Sequence, residues 1–126
     1  MPRVLIADDA QFMRLRLAKL LSRYGFEVLE AANGAEAVHT YCLDRPDVVL
    51  MDITMPQMDG LEALQVIRQQ DPQARVIMLT AVGQEALALQ AIQLGARDYL
   101  VKPVDPSRVI DTLQHVLAQT DYGIER

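Results

Sequence analysis

The sequence predicts a single α/β domain, in which a parallel five-stranded sheet carries helices on both faces. Five short apolar runs alternate with stretches whose apolar residues recur at helical spacing, and this repeated order is typical of a doubly wound sheet. The chain has 126 residues, of which 51% are hydrophobic. That length and composition suffice for one core and for a sheet buried on both sides.

The predicted strands are the five apolar runs, and the second is the weakest of them. They cover residues 3–7, 27–31, 47–51, 75–79 and 97–101. Right-handed crossovers leave few arrangements, and the strand order 2-1-3-4-5 places the first and third strands side by side at the switch point. Ligands of such sheets bind beyond the carboxyl ends of the strands at that point.

The first three helices are predicted from an apolar stripe and from signals at helix ends. The stripe of the first helix consists of Met13, Leu17, Leu20, Leu21 and Tyr24. Gly25 follows it and is typical of a helix end. Asn33 with Glu36, and Asp59 with Glu62, have capping-box spacing, which predicts where the second and third helices begin.

The fourth helix is predicted from about Gln84 to Leu94, and it is apolar around more than one face. Its apolar residues are Ala86, Leu87, Ala88, Leu89, Ala91, Ile92 and Leu94. Only one stripe is needed for the core, so the remainder predicts an exposed apolar surface for a partner or a second copy. The fifth helix begins at Asp105 and Pro106, a capping residue followed by a proline in the first turn.

The composition argues against several classes of function. A net charge of −5 and a pI near 4.9 disfavour direct nucleic-acid binding, which needs a basic surface. The apolar runs fall far short of the ~20 residues of a membrane helix, and no signal peptide is predicted. Cys42, the single cysteine, excludes an internal disulfide and favours a cytoplasmic location. We expect it to be a small core residue rather than a nucleophile.

Polar or charged side chains stand at the carboxyl ends of four predicted strands. They are Asp8 and Asp9, Asp52, Thr80, and Lys102. In a parallel sheet these ends lie along one edge, so the side chains should converge. A single Asp at a strand end is often only a turn or helix cap, and a Lys before Pro is usually a surface charge. Four groups of complementary chemistry are not well explained in that way.

This set of residues predicts phosphoryl chemistry with a divalent cation. Three carboxylates repel each other unless a cation joins them, and Mg²⁺ prefers such oxygen ligands. A carboxylate beside the metal can attack phosphorus, which makes Asp52 a candidate nucleophile. Lys102 and the Thr80 hydroxyl are suited to stabilise the charge of the transferring group.

The motifs that carry this chemistry closely resemble those of the receiver domains of bacterial two-component response regulators, a flavodoxin-like family that includes stand-alone chemotaxis regulators. They are Asp8-Asp9, the loop from Asp52 through Met55-Pro56 to Met58-Asp59-Gly60, Thr80-Ala81, and Lys102-Pro103. The resemblance covers residues 3–119. It implies that Asp52 is both the phosphoacceptor and a metal ligand. The phosphodonor would be a phosphohistidine on a histidine kinase or phosphotransfer protein, or a small acyl or amido phosphate.

The resemblance also implies the remaining roles at the site. Asp9 would bind Mg²⁺ directly and Asp8 through water, while the backbone carbonyl of Thr54 would complete the protein ligands. Lys102 and Thr80 would contact the phosphoryl group. Such a chain is a signalling phosphoacceptor that catalyses only its own phosphorylation and dephosphorylation, and it is not an enzyme acting on metabolites.

A conformational switch is a further implication of the family. Thr80 would move toward the phosphoryl group and Tyr99 would rotate inward. The surface made by the fourth helix, fifth strand and fifth helix would change as a result, for a downstream partner or for homodimerisation. Pro103 would hold Lys102 in place through a cis peptide bond, which X–Pro bonds permit at low cost.

The residues two after the phosphoacceptor and two after the switch threonine help to set the rate of hydrolysis in the family. Here they are Thr54 and Val82. Val82 has no polar group to position a water molecule, so we expect a phosphorylated lifetime longer than that of fast chemotaxis regulators.

The first helix carries four basic residues beside its apolar stripe. They are Arg14, Arg16, Lys19 and Arg23. They form either a solvated helix face or a kinase-docking face, and the sequence does not decide between the two.

Two other functions use related chemistry. A haloacid-dehalogenase-type phosphatase also has an Asp nucleophile and Mg²⁺, but it requires a second carboxylate two residues later, where this chain has Thr54. A flavodoxin-like cofactor binder requires a Ser-, Thr- and Gly-rich loop after the first strand, whereas Asp8 and Asp9 would repel a bare phosphate. A receiver that is never phosphorylated is disfavoured because every motif residue is present.

The domain boundaries are predicted as residues 1–120 for the receiver domain and 121–126 for a C-terminal tail. The tail is too short for a DNA-binding or catalytic output domain. We therefore expect either a stand-alone regulator or the N-terminal piece of a longer one, with a kinase and a target that the sequence does not identify.

Overall fold

The computed structural model describes residues 1–119, and within them the predicted alternation of strands and helices is confirmed. The strands are β1 Arg3–Ala7, β2 Glu27–Ala31, β3 Val48–Asp52, β4 Val76–Thr80 and β5 Asp98–Val101. The helices are α1 Gln11–Arg23, α2 Gly34–Asp44, α3 Gly60–Gln70, α4 Glu85–Gln93 and α5 Pro106–Ala118. The predicted tail, 121–126, lies outside the described residues.

The strands form one parallel sheet in the predicted order β2-β1-β3-β4-β5. Two of them end one residue later than the apolar runs indicate, because backbone hydrogen bonding to the neighbouring strands continues there. The Ile53 N–H donates to the Leu79 carbonyl, 3.1 Å away, and the Lys102 N–H donates to the Thr80 carbonyl at 2.7 Å. Asp52 and Thr80 are therefore the last residues of β3 and β4 rather than the first residues of loops.

Both faces of the sheet are covered, which explains why the central strands are continuously apolar. Side chains alternate between the faces along each strand, so each strand contributes to two separate apolar clusters. One cluster includes Leu5, Val49, Met51 and Met78 of the sheet with Ala37, Leu64, Ile67 and Ala91 of α2, α3 and α4. The other includes Val4, Ile6, Leu50 and Ile77 with Leu17, Leu21, Val109 and Leu113 of α1 and α5. The two layers of helices hold the strand ends in fixed positions.

The helix starts are close to those predicted. Asp59 and Glu62 form a complete capping box at α3, in which Asp59 Oδ1 accepts from the Glu62 N–H at 2.9 Å. Asn33 caps α2 in the same way, at 2.8 Å from the Glu36 N–H. The Glu36 carboxylate, however, accepts from the N–H of Ala32, one residue earlier than in a capping box.

Two predicted core positions are at the surface. Tyr24 is 58% exposed, because α1 ends at Arg23 and the backbone of Tyr24 no longer continues the helical stripe. Cys42 is also exposed and contacts the side-chain oxygen of Gln70. Its neighbour Tyr41 points into the core, and successive residues of a helix point about 100° apart. Cys42 is thus a surface thiol on α2 that contacts α3, and it is not a core residue.

The apolar excess of α4 lies on the surface, as the sequence predicts. Ala88 and Ala91 are fully buried against the sheet, whereas Leu89 is 60% exposed and Ile92 is 38% exposed. Val101 on β5 adds to the exposed apolar area. Over residues 1–119, no helix combines the length and the hydropathy that a membrane span requires.

Candidate functional site

Three carboxylates meet at the carboxyl edge of the sheet. β1 and β3 are neighbours, with Ala7 opposite Met51, so the residues that follow them lie side by side. One oxygen each from Asp8, Asp9 and Asp52 lie within 4.8 Å of one another. Asp8 has no exposed surface and Asp52 is buried, while Asp9 is exposed at the rim. The predicted convergence of these side chains is therefore present.

Lys102 reaches this group from β5, two strands away from β3 in the sheet. Its Nζ lies 3.0 Å from Asp8 Oδ2 and 3.1 Å from Asp52 Oδ2, so one ammonium group pairs with both buried carboxylates. The Lys102–Pro103 peptide bond is cis, as the resemblance implies, and Pro103 itself is exposed. The arrangement concentrates charge in a crevice that water reaches only in part.

The pKa values follow from this crowding. Burial raises the pKa of the Asp52 carboxyl, the charge and hydrogen bond of Lys102 oppose that effect, and the nearby Asp8 adds to it. The net direction for Asp52 is upward. Burial alone would lower the pKa of Lys102, but the hydrogen bond to Asp8 and the charge of Asp52 outweigh it, so that pKa is raised. The ammonium is consequently held in its charged form between the two acids.

Asp8 is held in place by contacts on its other side. Its Oδ1 accepts from the Ala10 N–H at 2.9 Å, and its backbone carbonyl accepts from Arg14 Nη1 at 2.7 Å. Arg14 also pairs with Glu30 at 3.2 Å, and its side chain is only 15% exposed. Arg14 therefore belongs to the support of Asp8 and not to an outward basic face of α1.

The outer face of α1 carries both basic and apolar side chains. Arg16, Lys19 and Arg23 are exposed, and so are Phe12 and Leu15. The Arg16 guanidinium carbon lies 5.5 Å from the centroid of the Phe12 ring. The face is therefore mixed, and not only basic as the sequence indicates.

The loop between β3 and α3 is folded tightly beyond Asp52. The Gly60 N–H donates to the Ile53 carbonyl at 2.7 Å, and a β-carbon at Gly60 would overlap the carbonyl oxygen of Asp52. Gln57 and Met58 have positive φ angles of 51° and 83°. The absence of a side chain at Gly60 thus lets α3 begin directly against the end of β3.

Thr80 is buried at the end of β4, and its hydroxyl donates to the Leu100 carbonyl at 3.4 Å. Tyr99, on the neighbouring β5, is half-buried and packs against the cluster beneath α2, α3 and α4. The two predicted switch residues are accordingly on adjacent strands, and Met78 is the register partner of Tyr99.

The Gln84 side chain makes two hydrogen bonds that join separate loops and that no sequence motif indicates. Its Oε1 accepts from the Ala81 N–H at 2.7 Å, and its Nε2 donates to Thr54 Oγ1 at 3.0 Å. The side chain thereby joins the β4–α4 loop to the β3–α3 loop. Residues 54 and 84 are thirty positions apart, so no local pattern could have identified the pair. The hydrogen bond from Arg14 to the Asp8 carbonyl could not be predicted from a local pattern either. Gly60, in contrast, is part of the loop motif that the sequence already shows.

These contacts define what the site can do chemically. The cluster of carboxylate oxygens suits a hard divalent cation, and Asp52 offers an oxygen nucleophile beside a positive charge. The residue two positions after Asp52 is Thr54, whose side chain is exposed, so the second carboxylate of a haloacid-dehalogenase-type site is missing there.

Comparison with known proteins identifies one family. The sequence model of the family described as response regulator receiver domain matches residues 4–114 of this chain. The chemotaxis protein CheY of Thermotoga maritima is 50% identical over 115 residues, covering 90% of this chain and 96% of that protein. The CheY of Bacillus subtilis is 51% identical over 116 residues, covering 91% of this chain and 97% of that protein.

A solved structure shows the same fold. A chain in the CheX-CheY-BeF3-Mg²⁺ complex from Borrelia burgdorferi matches with a TM-score of 0.88 and 38% identity, covering 93% of this chain and 90% of that one. The family match extends from β1 into α5 and so includes the carboxylates, Thr80 and Lys102. The chain therefore belongs to the response regulator receiver domains of two-component systems, and it is of the CheY-like type.

Proposed function

We propose that Asp52 accepts a phosphoryl group from a phosphohistidine on a histidine kinase or phosphotransfer protein, in a Mg²⁺-dependent reaction. The observation that carries the proposal is the convergence of Asp8, Asp9 and Asp52 with Lys102 at the end of β3. A bond forms between an Asp52 oxygen and phosphorus as the bond from phosphorus to the donor nitrogen breaks, and the imidazole leaves. With acetyl phosphate, the bond that breaks is the one from phosphorus to the acyl oxygen.

Asp8, Asp9, Asp52 and the Thr54 backbone carbonyl would hold Mg²⁺. The fit is supported by the donor set, since one carboxylate oxygen from each Asp lies within 4.8 Å of the others. When bound, the ion neutralises charge on the carboxylates and on the transferring phosphoryl oxygens. The related complex from Borrelia burgdorferi contains Mg²⁺ and beryllofluoride alongside CheY.

Lys102 would supply the positive charge that the protein itself contributes to the reaction. In the described structure its ammonium is shared between Asp8 and Asp52, which lowers the cost of keeping both carboxylates ionised in a buried site. When Asp52 bears the phosphoryl group, the same ammonium can pair with a phosphoryl oxygen instead, and the Thr80 hydroxyl can donate to another.

The output is proposed to run through Thr80 and Tyr99 to the surface of α4, β5 and α5. Turning the Thr80 hydroxyl away from the Leu100 carbonyl would free space on the β5 side for Tyr99. The exposed Leu89 and Ile92 provide the apolar part of a surface for a downstream protein or for a homodimer. Pro103 would keep the backbone of Lys102 in position during this change.

The remaining parts of the proposal concern context. The domain extends over residues 1–120, with 121–126 as a tail. The acidic composition favours a protein partner over nucleic acid, and the single exposed Cys42 is compatible with the cytoplasm. The outer face of α1, with its basic and apolar side chains, either is only solvated or binds the phosphodonor.

The test is incubation with acetyl phosphate and Mg²⁺, followed by intact-mass measurement. We expect the wild type to gain one phosphoryl group, and EDTA or Asp52→Ala to abolish the gain. Asp111→Asn, an exposed acid on α5, is the matched control and should be labelled like the wild type. Labelling that survives in Asp52→Ala contradicts the proposal. Catalytic turnover of phosphate esters would favour a phosphatase instead.

A further inference from the structure

The Gln84 side chain lies between the two loops that flank the site, and it is neither one of the carboxylates nor a group that contacts them in the hydrogen bonds described above. A glutamine amide has one acceptor and two donors. The Ala81 backbone N–H can only donate, so it must meet Oε1, and this leaves Nε2 for Thr54 Oγ1. Both contacts are therefore chemically consistent, at 2.7 Å and 3.0 Å.

Ala81 is held by Gln84 on both of its backbone groups. Its N–H donates to the Gln84 side chain, and its carbonyl accepts from the Gln84 N–H at 3.1 Å. The peptide bond that joins Thr80 to Ala81 is thus anchored on the Ala81 side. On the Thr80 side, the carbonyl accepts from the Lys102 N–H at 2.7 Å.

The position of Gln84 makes this contact more than a helix cap. Gln84 is the residue before α4, but its side chain makes no capping hydrogen bond to the first turn of the helix. It is partly buried and reaches across to Thr54, two residues after Asp52. Replacing the side chain would release the loop without removing a cap from α4.

We infer that Gln84 is a latch that holds the β4–α4 loop in its unphosphorylated conformation by tying Ala81 to Thr54. The inference rests on the proposed function, in which Thr80 turns toward a phosphoryl group on Asp52. A shift of the Thr80 backbone toward Asp52 would also displace the peptide bond to Ala81, so the hydrogen bond from the Ala81 N–H to Gln84 opposes that shift. Part of the free energy gained by the phosphoryl contacts must therefore be spent on breaking these hydrogen bonds before the loop can take its activated conformation.

Removing the latch should favour the activated conformation. Gln84→Met keeps the length and apolar stem of the side chain and removes both hydrogen bonds. We expect Gln84→Met to bind beryllofluoride with Mg²⁺ about fivefold more tightly than the wild type, which corresponds to about 1 kcal/mol at 1.4 kcal/mol per tenfold change. The matched control is Gln90→Met, an exposed glutamine on α4, and its affinity should equal that of the wild type.

A second measurement reports on the loop without any ligand. Hydrogen exchange of the Ala81 amide, followed by NMR in the metal-free protein, should be faster in Gln84→Met and unchanged in Gln90→Met. Equal beryllofluoride affinities in Gln84→Met and Gln90→Met overturn the latch, and so does an unchanged Ala81 exchange rate. Failure of the wild type to bind beryllofluoride at all overturns the proposed function and the latch with it.

Discussion

Removing the ammonium group of Lys102 should destabilise the metal-free protein strongly. Lys102→Met keeps the side-chain stem and leaves Asp8 and Asp52 facing each other without the cation that lies 3.0 Å and 3.1 Å from them. Removing one partner of a buried pair costs about 3–5 kcal/mol, because the other charge stays buried and unpaired. Asp8 has no exposed surface, but the Lys102 side chain is 23% exposed. We therefore expect the lower end of the range, about 3 kcal/mol.

The assay is urea unfolding followed by far-ultraviolet circular dichroism, with EDTA and then with excess Mg²⁺. In EDTA the free energy of unfolding should fall by about 3 kcal/mol, and the melting temperature by roughly 10 °C. With Mg²⁺ the deficit should shrink, because a bound cation takes over the neutralisation of the carboxylates. Lys19→Met is the matched control, since Lys19 is the other lysine of the chain and is exposed on α1.

Two results would contradict the predicted effect of Lys102→Met. If Lys102→Met and Lys19→Met lose the same small amount of stability in EDTA, the ammonium does not offset the repulsion between the buried acids. If the Lys102→Met deficit is as large with Mg²⁺ as without it, the carboxylates do not hold the cation that the proposed function requires.

Further predictions concern the same site and its surroundings. Asp9→Ala removes one of three crowded carboxylates, so the metal-free melting temperature should rise, and an unchanged or lower value in calorimetry contradicts this. Burial raises the pKa of Asp52 above its ordinary value of 3.8, so the wild type loses stability as the pH rises from that value through the raised pKa. Asp52→Asn should therefore stabilise the metal-free protein at neutral pH, and the gain should vanish below pH 3.8, where the carboxyl is protonated in the folded and the unfolded chain. Val82 is 77% exposed and apolar, so Val82→Glu should shorten the phosphorylated lifetime; wild-type decay within seconds in stopped-flow measurements, or equal rates, would exclude that role. Sedimentation with beryllofluoride should show a dimer if Leu89 and Ile92 form a self-association surface, and a monomer with and without it removes that possibility.

The sequence could predict much of the fold because its signals are local. Apolar runs and capping residues lie within a few positions of each other, and the capping box of Asp59 and Glu62 is present as predicted. The assignment of Asp52 was wrong because a neighbour in space overrides the local pattern: hydrogen bonding to β4 continues past the apolar run and extends β3. The assignment of Tyr24 was wrong for a local reason, because α1 ends before it.

The groups at the strand ends can be read from the chain alone, because the carboxyl ends of a parallel sheet lie along one edge whatever the detailed packing. This is why the acids after β1 and β3 could be expected to meet a lysine. The pairing of one Lys102 ammonium with both Asp8 and Asp52, and the contacts of Gln84 with Ala81 and Thr54, depend instead on the folded structure. Such pairings join residues distant in the chain, and their partners depend on distances of about 3 Å that no periodicity encodes.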